Sequence, residues 1–431
     1  MAQLEALKKL ASSLSGEEDI VTLSIPSIGL TISHWKSYDI SNDFMDATSQ
    51  FSLEVADDNL QELAGKVQNG QKIALFVNGA IQATGYVDQI QFSYSPAGTT
   101  MRIQGRDALS PAADSSIDPK YIAQAGNTIG SIIKQLFAPY GFTNIQVDDS
   151  LNLKKMTKSI RSFTTDDNSN VIERLLEVKL NAKFKPHHGE GIYEYVQRLG
   201  KRYGFHVWCS ADGTTLYAGR PNYSSEPVGT LNHLLSKDNN NNVLNGSMSI
   251  DWSTQPSAII AEGHGAGGTF RKQSSKVLLV NELLSDQSTV VPAIENLKSS
   301  YKEAYIIPRR DNIVRPKIVQ PITSNFAKTV FLYDSMSYDK EQLKNYVINK
   351  MAEYQSRFFT MTYTVNRHSY NKLVWANNTL VNVNDELFQF KGLMWVKARR
   401  FIKDRSGGTK TELKLILPNT LQIAADTRSN V

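Results

Sequence analysis

One cysteine, Cys209, stands in a chain of 431 residues. A disulfide framework is thereby excluded, and synthesis in a reducing cytosol is expected. No apolar run approaches the roughly 20 residues that a bilayer-spanning helix needs, so no membrane span is expected. The opening stretch MAQLEALKKLASSLSGEED lacks the apolar centre and cleavage site of a secretory signal. Its Leu4, Leu7, Leu10 and Leu14 fall on one helical face, which predicts an amphipathic helical arm over 1–18. The net charge of +5 is modest, and no basic block marks a nucleic-acid reader. Arg309-Arg310 and the stretch from Lys397 to Arg405 are interrupted by acidic or apolar residues and read as solvated faces.

Motifs for catalysis are equally scarce. The glycine run GHGAGG at 263–268 has neither the spacing nor the lysine of a phosphate loop. His187 and His188 are adjacent, which suits chelation poorly, and no third ligand lies at a metal-site spacing. His206 and Cys209 stand three apart on an expected strand, so they face opposite sides of its sheet and do not form a thiolate–imidazole pair. The acidic pairs Glu17-Glu18, Asp57-Asp58, Asp148-Asp149 and Asp166-Asp167 are sequence neighbours, whereas glycosidic cleavage needs two carboxyls about 5–9 Å apart across a cleft. No nucleophile elbow, kinase set or zinc-hydrolase helix is present. The expectation is therefore a non-enzyme with no catalytic residue, no cofactor and no metal.

What the chain does have is pleated sequence. From Asp19 to about Ala112 apolar residues recur with period two: Val21, Leu23, Ile25, then Phe51, Leu53, Val55, then Ile73, Leu75, Val77. Every second side chain of a strand faces the same way, so one sheet face is buried and the other wet. Asn69-Gly70, Asn78-Gly79 and Ser95-Pro96-Ala97-Gly98 separate the runs as turns. This predicts an antiparallel barrel or sandwich over 19–112.

Over 113–222 the period changes. Ile129, Ile132, Ile133, Leu136 and Phe137 take helical spacing behind an expected Asn127 cap, as do Ile192, Tyr195, Val196, Leu199 and Tyr203 further on. Both copies end in Tyr-Gly-Phe, at 140–142 and 203–205, which reads as a left-handed helix stop followed by a strand. The second ends in a hairpin turning at Asp212-Gly213. These are small α/β units. Alternation resumes over 223–269, a mixed insertion follows over 270–321, and a helix is expected behind an Asp339 cap, with Leu343, Tyr346, Val347, Met351, Tyr354 and Phe358 inward. Strands then fill the rest of 322–418, and 419–431 is a tail. The hairpin GYVDQIQFSYSPAGTTMRIQGRD is echoed by MWVKARRFIKDRSGGTKTELKLIL, around Gly98-Thr99 and Gly408-Thr409. Any two β-hairpins share that much. Even so, a second barrel over 223–269 and 322–418 would account for the pleated sequence at both ends. The fold class expected is α+β, mainly antiparallel β.

The order of these segments resembles the baseplate hub proteins of contractile phage tails, of the Mu-like and late-control-D type, related in fold to the base of type VI secretion spikes. Four stretches carry the likeness: LFVNGAIQATGYVDQIQF through MRIQGRDALSPAADSSID; GEGIYEYVQRLGKRYGFHVWCSADGTTLYAGRPNY; NNNVLNGSMSIDWSTQPSAIIAEGHG; and the helix at 339–357 through TVNRHSYNKLVWANNTLVNVNDELFQFKGLMWVKARRF to GGTKTELKLILPNT. They cover most of 19–418, with the greatest departures at 150–185 and 270–321. The resemblance implies a homotrimer with two tube-like β-barrels per subunit and small α/β domains between them. Such a trimer is a symmetry adapter joining a hexameric tail tube to a trimeric spike. It contacts other baseplate proteins and encloses a lumen through which DNA passes without sequence reading. It implies a place in the virion tail, after assembly in the bacterial host cytoplasm. A peptidoglycan-binding or cell-wall-degrading tail protein is the alternative, as is the equivalent hub of a tailocin or secretion device.

Overall fold

In a computed structural model the alternating segments become strands, and their neighbours follow a repeated plan. The structure describes residues 19–147 and 176–263 apart from short stretches, then 275–280, 305–308, 328–334 and most of 346–418. The expected arm over 1–18, the four acidic pairs, most of the 263–268 glycine run and the Asp339 cap with Leu343 lie outside the described residues.

A first set comprises β1 (Val21–Ile25), β2 (Leu30–Ile32), β3 (Trp35–Asp43), β4 (Gln50–Val55), β5 (Lys72–Val77), β6 (Ala80–Ser95) and β7 (Gly98–Asp107), with the short helix α1 (Leu60–Lys66) between β4 and β5. The β5–β6 turn is Asn78-Gly79, both at positive φ (50° and 77°), the pairing that a two-residue hairpin with the right twist demands. The inward residues Leu23, Leu53, Ile73, Leu75, Met101 and Ile103 are fully buried.

After the short helix α2 (Ser110–Asp114) come α3 (Ile129–Phe137) and α4 (Ile192–Tyr203). With them come β8 (Asn144–Val147), after α3, and β9 (His206–Cys209) and β10 (Thr215–Gly219), after α4. The two expected α/β units share one sheet, because β8 pairs with β10 in parallel. They also share one core, in which Ile129, Ile133 and Phe137 meet Tyr195, Val196, Leu199 and Phe205. Thr128, not Asn127, caps α3. Its backbone is extended (φ −81°, ψ 150°) and its hydroxyl accepts from the Ser131 amide at 3.2 Å. Gly141 stops the α3 segment at φ 92°, as expected.

Then come β11 (Thr230–His233) and β12 (Val243–Ile250), followed by β13 (Ala258–Gly263), β14 (Ser275–Val280), β15 (Tyr305–Pro308) and β16 (Thr329–Asp334). Residues 258–263 and 329–334, expected within the second barrel, form instead a separate mixed sheet with 275–280 and 305–308. Val347, fully buried, packs on Ile259 and Ala261 of that sheet. The chain finishes with β17 (Phe359–Asn366), the small hairpin β18 (Ser369–Tyr370) and β19 (Leu373–Val374), and β20 (Thr379–Asp385), β21 (Phe390–Asp404) and β22 (Gly408–Ile416).

The large sheet joins 13 strands. Within it the order β3-β4-β7-β6-β5-β1 is matched by β12-β17-β22-β21-β20-β11, strand for strand in chain order. Two of the bulges match as well, while a third, at Gln82 between Leu75↔Ala83 and Phe76↔Ile81, has no counterpart between β20 and β21. Lys36 is the extra residue between the β3–β4 pairs Trp35↔Val55 and Ser37↔Glu54, and Leu244 holds that place between Val243↔Val365 and Asn245↔Thr364. Asp88 is extra between Val87↔Gly105 and Gln89↔Gln104, as Lys397 is between Val396↔Leu415 and Ala398↔Lys414. Bulges disrupt a ladder at fixed points, so two bulges at the same two points argue for one plan used twice. One member differs: β1 pairs with β5 antiparallel, β11 with β20 in parallel. No ladder between described strands closes either set into a barrel. Instead β21, once past β20, pairs with β3, and the two sets become one sheet over one hydrophobic core.

Candidate assembly surfaces

The groups that could have carried chemistry are dispersed. Val207 and Cys209 face the α4 side of the small sheet. His206 and Trp208 face the other way and pack against Phe44, with ring centroids 4.9 and 5.0 Å from it. Nε2 of His206 donates to the Phe44 carbonyl at 2.7 Å, and burial lowers the imidazole to about 4. Burial likewise drives the Cys209 thiol well above its usual range, so it is not a nucleophile at neutral pH. The His187 amide donates to Glu190, whose carboxylate is gripped by Arg198 at 2.6 Å. Among the described residues no group of His, Cys, Asp and Glu could hold a metal ion, and no helix is long and apolar enough to cross a membrane.

Structure is concentrated instead at the joint between the two sets. In register, Arg399 faces Asn42, Arg400 faces Ser41, Phe401 faces Ile40 and Lys403 faces Tyr38. Phe401 and Ile40 are both buried, and Arg400 clasps Asp39 with two arms of its guanidinium. Beneath them runs a directed chain of hydrogen bonds. The Thr411 hydroxyl donates to the Arg367 carbonyl at 2.6 Å and so must accept from Nδ1 of His368 at 3.0 Å. Nε2 is then free to accept from the Tyr38 hydroxyl at 2.7 Å. Burial, the largest cause, lowers His368 to about 4. A neutral ring is what this chain of donors requires.

At the end of the joint lies a cleft of about 560 Å³, lined by Asn42, Asp46, Asp107, Trp208, Asn377 and Arg399 among others. Asp107 is raised to about 6 by burial, against the opposing hydrogen bonds from the Ser49 and Leu109 amides. Arg399 stacks its guanidinium 4.1 Å above the Phe401 ring and donates to Gln82 at 2.5 Å. The Asn-rich loop that enters this region is structural. Asn377 donates to Asn42 at 2.8 Å, and the Asn378 side-chain oxygen accepts from the Asn222 amide and the Trp395 indole.

Two edges of the large sheet, at corresponding ends of the repeat, lack a partner among the described strands. β6 runs beyond β5 after Tyr86, and from Ile90 to Tyr94 it pairs only with β7 among the described strands. β12 pairs only with β17 among the described strands. Phe92 is 49% exposed and Tyr94 91%, and Leu244 on β12 is 50% exposed. Sequence reasoning did not single these out, because Phe92 and Tyr94 continue the alternation that elsewhere marks a core. The signal was the shared spacing Val87 to Phe92 and Val396 to Phe401 in the two hairpins.

Comparison with known proteins agrees with this architecture. Residues 21–107 match the family model described as Mu phage baseplate assembly protein GpP-like, N-terminal. The baseplate hub protein gp44 of Escherichia phage Mu is 25% identical over 155 residues, which is 36% of this chain and 40% of that protein. The chain thus aligns with well under half the length of this curated relative. Among solved structures, a tail protein from Neisseria meningitidis MC58 superimposes with a TM-score of 0.68 at 18% identity, over 95% of this chain and 99% of that one. The 43 kDa tail protein of prophage MuSo2 from Shewanella oneidensis gives 0.63 at 16% identity, over 94% and 99%. Residues 21–107 are thus similar in sequence to the N-terminal part of Mu-type baseplate assembly proteins, and nearly the whole chain shares its fold with these two tail proteins.

Proposed function

We propose that the protein is a baseplate hub that adapts sixfold to threefold symmetry. Each set of strands acts as one tube-like barrel module, the first over 19–112 and the second built from the strands within 223–251 and 359–418. The α/β domain at 113–222 and the mixed sheet around 258–334 are inserted between them. Three copies then present six similar modules to a hexameric tail tube and remain threefold towards a trimeric spike. DNA passes through the lumen held by sterics and charge, not by base reading, and the protein works in the virion tail after assembly in the host cytoplasm. The function is geometric and calls on no reacting group.

The observation that carries this reading is the repeat. Two sets share strand order and two bulge positions, and they lie side by side through β3 and β21. A head-to-tail contact that recurs with constant rotation closes into a ring when the rotation divides the circle. Size-exclusion chromatography with light scattering is expected to give three times the chain mass. A chain that stays monomeric even beside its tail-tube protein overturns the proposal, and clearing of purified peptidoglycan in a zymogram would favour a wall-degrading role instead.

A further inference from the structure

The joint inside the chain is a template for a joint between chains. Since β6 matches β21 and β12 matches β3, we propose that the open edge of β6 pairs antiparallel with β12 of a neighbouring copy, in the register that β21 uses on β3. Matched at the bulges, Phe92 takes the place of Phe401, and Met248 that of Ile40. Since Phe401 faces Ile40, Phe92 faces the neighbour's Met248; Ile90 then faces Ile250, and Ser93 faces Ser247.

Burial supports this assignment. Phe401 and Ile40, directly opposite across the internal joint, are 0% and 2% exposed, with Arg399 and His368 also packed on the Phe401 ring. Phe92, by contrast, is 49% exposed on an edge with no partner among the described strands. Met248 and Ile250 lie half-buried at the rim of the main core, on the face that Phe92 would cover. Opposite-facing residues on both strands, Gln91, Ser93, Ser247 and Ser249, are exposed and polar, so the alternation continues across the proposed joint. A long apolar edge left unpaired is an aggregation hazard that folded proteins cover or pair. Here the chain itself shows what covers such an edge.

The inference rests on the ring proposed above, and its test separates the two. In a Cys209→Ser background, Phe92→Cys and Met248→Cys together place two thiols directly opposite each other, within the Cα separation that a disulfide tolerates. Under diamide the full chain is expected to yield covalent dimer and trimer and nothing larger. Phe92→Cys with Ser247→Cys, shifted by one residue onto opposite faces, is expected to give at least tenfold less. Should the first pair disturb folding, Ser93→Cys with Ser247→Cys tests the same register at exposed polar positions. A sample that light scattering shows to be trimeric, yet cross-links no better in register than out of it, overturns the strand pairing and leaves the trimer standing. A chain that remains monomeric and uncross-linked beside its tube protein overturns both.

Discussion

The hydroxyl of Tyr38 donates to Nε2 of His368 across 2.7 Å, although 330 residues separate them. The bond crosses from β3 to the loop before β18, so the two sets are locked by polar contacts as well as by the β3–β21 ladder. Asp19 adds a second tie by accepting from the His368 amide and the Thr409 hydroxyl.

Acid is expected to loosen this joint. His206 and His368 are both held near 4 by burial, well below the ordinary value of 6.5. The unfolded chain therefore binds more protons between these values, and stability is full above about pH 6.5 and falls as pH drops towards 4. Each ring contributes up to about 3 kcal/mol of that loss. Asp107 works in the opposite sense, since a carboxyl raised to about 6 favours the fold at low pH. Chemical denaturation from pH 7.5 to 4.5 is expected to show a net decline, and His206→Gln a shallower one. Equal slopes for the variant and the parent would remove His206 from this account.

Two phenylalanines at matched positions are expected to behave differently. Phe401→Ala empties a fully buried site and is expected to cost about 3–5 kcal/mol. Phe92→Ala trims a half-exposed ring and is expected to change the unfolding free energy of dissociated chains by less than about 1 kcal/mol. Urea titration of both variants at low protein concentration checks the contrast.

Gly200 inverts a general rule. Alanine in a helix interior is normally better than glycine by about 1 kcal/mol. Here an added Cβ would lie 2.2 Å from the Phe205 carbonyl oxygen, which is backbone and cannot swing aside. Gly200→Ala is expected to destabilise by about 1–3 kcal/mol. A raised melting temperature would contradict the close approach of α4 to the strand that follows it.

Asn378 combines a left-handed backbone, φ 57°, with a side-chain oxygen that receives two donors. Asn378→Ala loses both bonds and keeps the strain, for about 2–3 kcal/mol. Asn378→Asp retains the acceptor and is expected to cost less than half as much. Thermal unfolding of the two variants distinguishes the bonds from the backbone.

Much of the local structure was legible because local chemistry decides it. Asn78-Gly79 can only be a tight turn between two alternating runs, and Gly141 can stop a helix where most residues resist positive φ. Alternation correctly assigned Leu53, Ile73 and Leu75 to a buried face. It says nothing of which edge meets which edge. That Ala258–Gly263 leaves the large sheet, and that β21 reaches β3, depend on contacts dozens to hundreds of residues apart that a period of two cannot encode. Thr128 displaced Asn127 as cap because either side chain suits the role and only the backbone angle one residue on decides. The candidate surfaces were the least legible, since an unpaired strand and a paired one share the same pattern.

The partner of β3 arrives late. Asp39 and Arg400 meet across 361 residues, and ribosomes add about 5–20 residues per second, so the nascent first set waits roughly 20–70 s for the strand that covers it. During translation its flank is exposed to every other emerging polypeptide. Slow codons or chaperone depletion before β21 are therefore expected to lower the soluble yield, even for a sequence whose finished fold is unchanged.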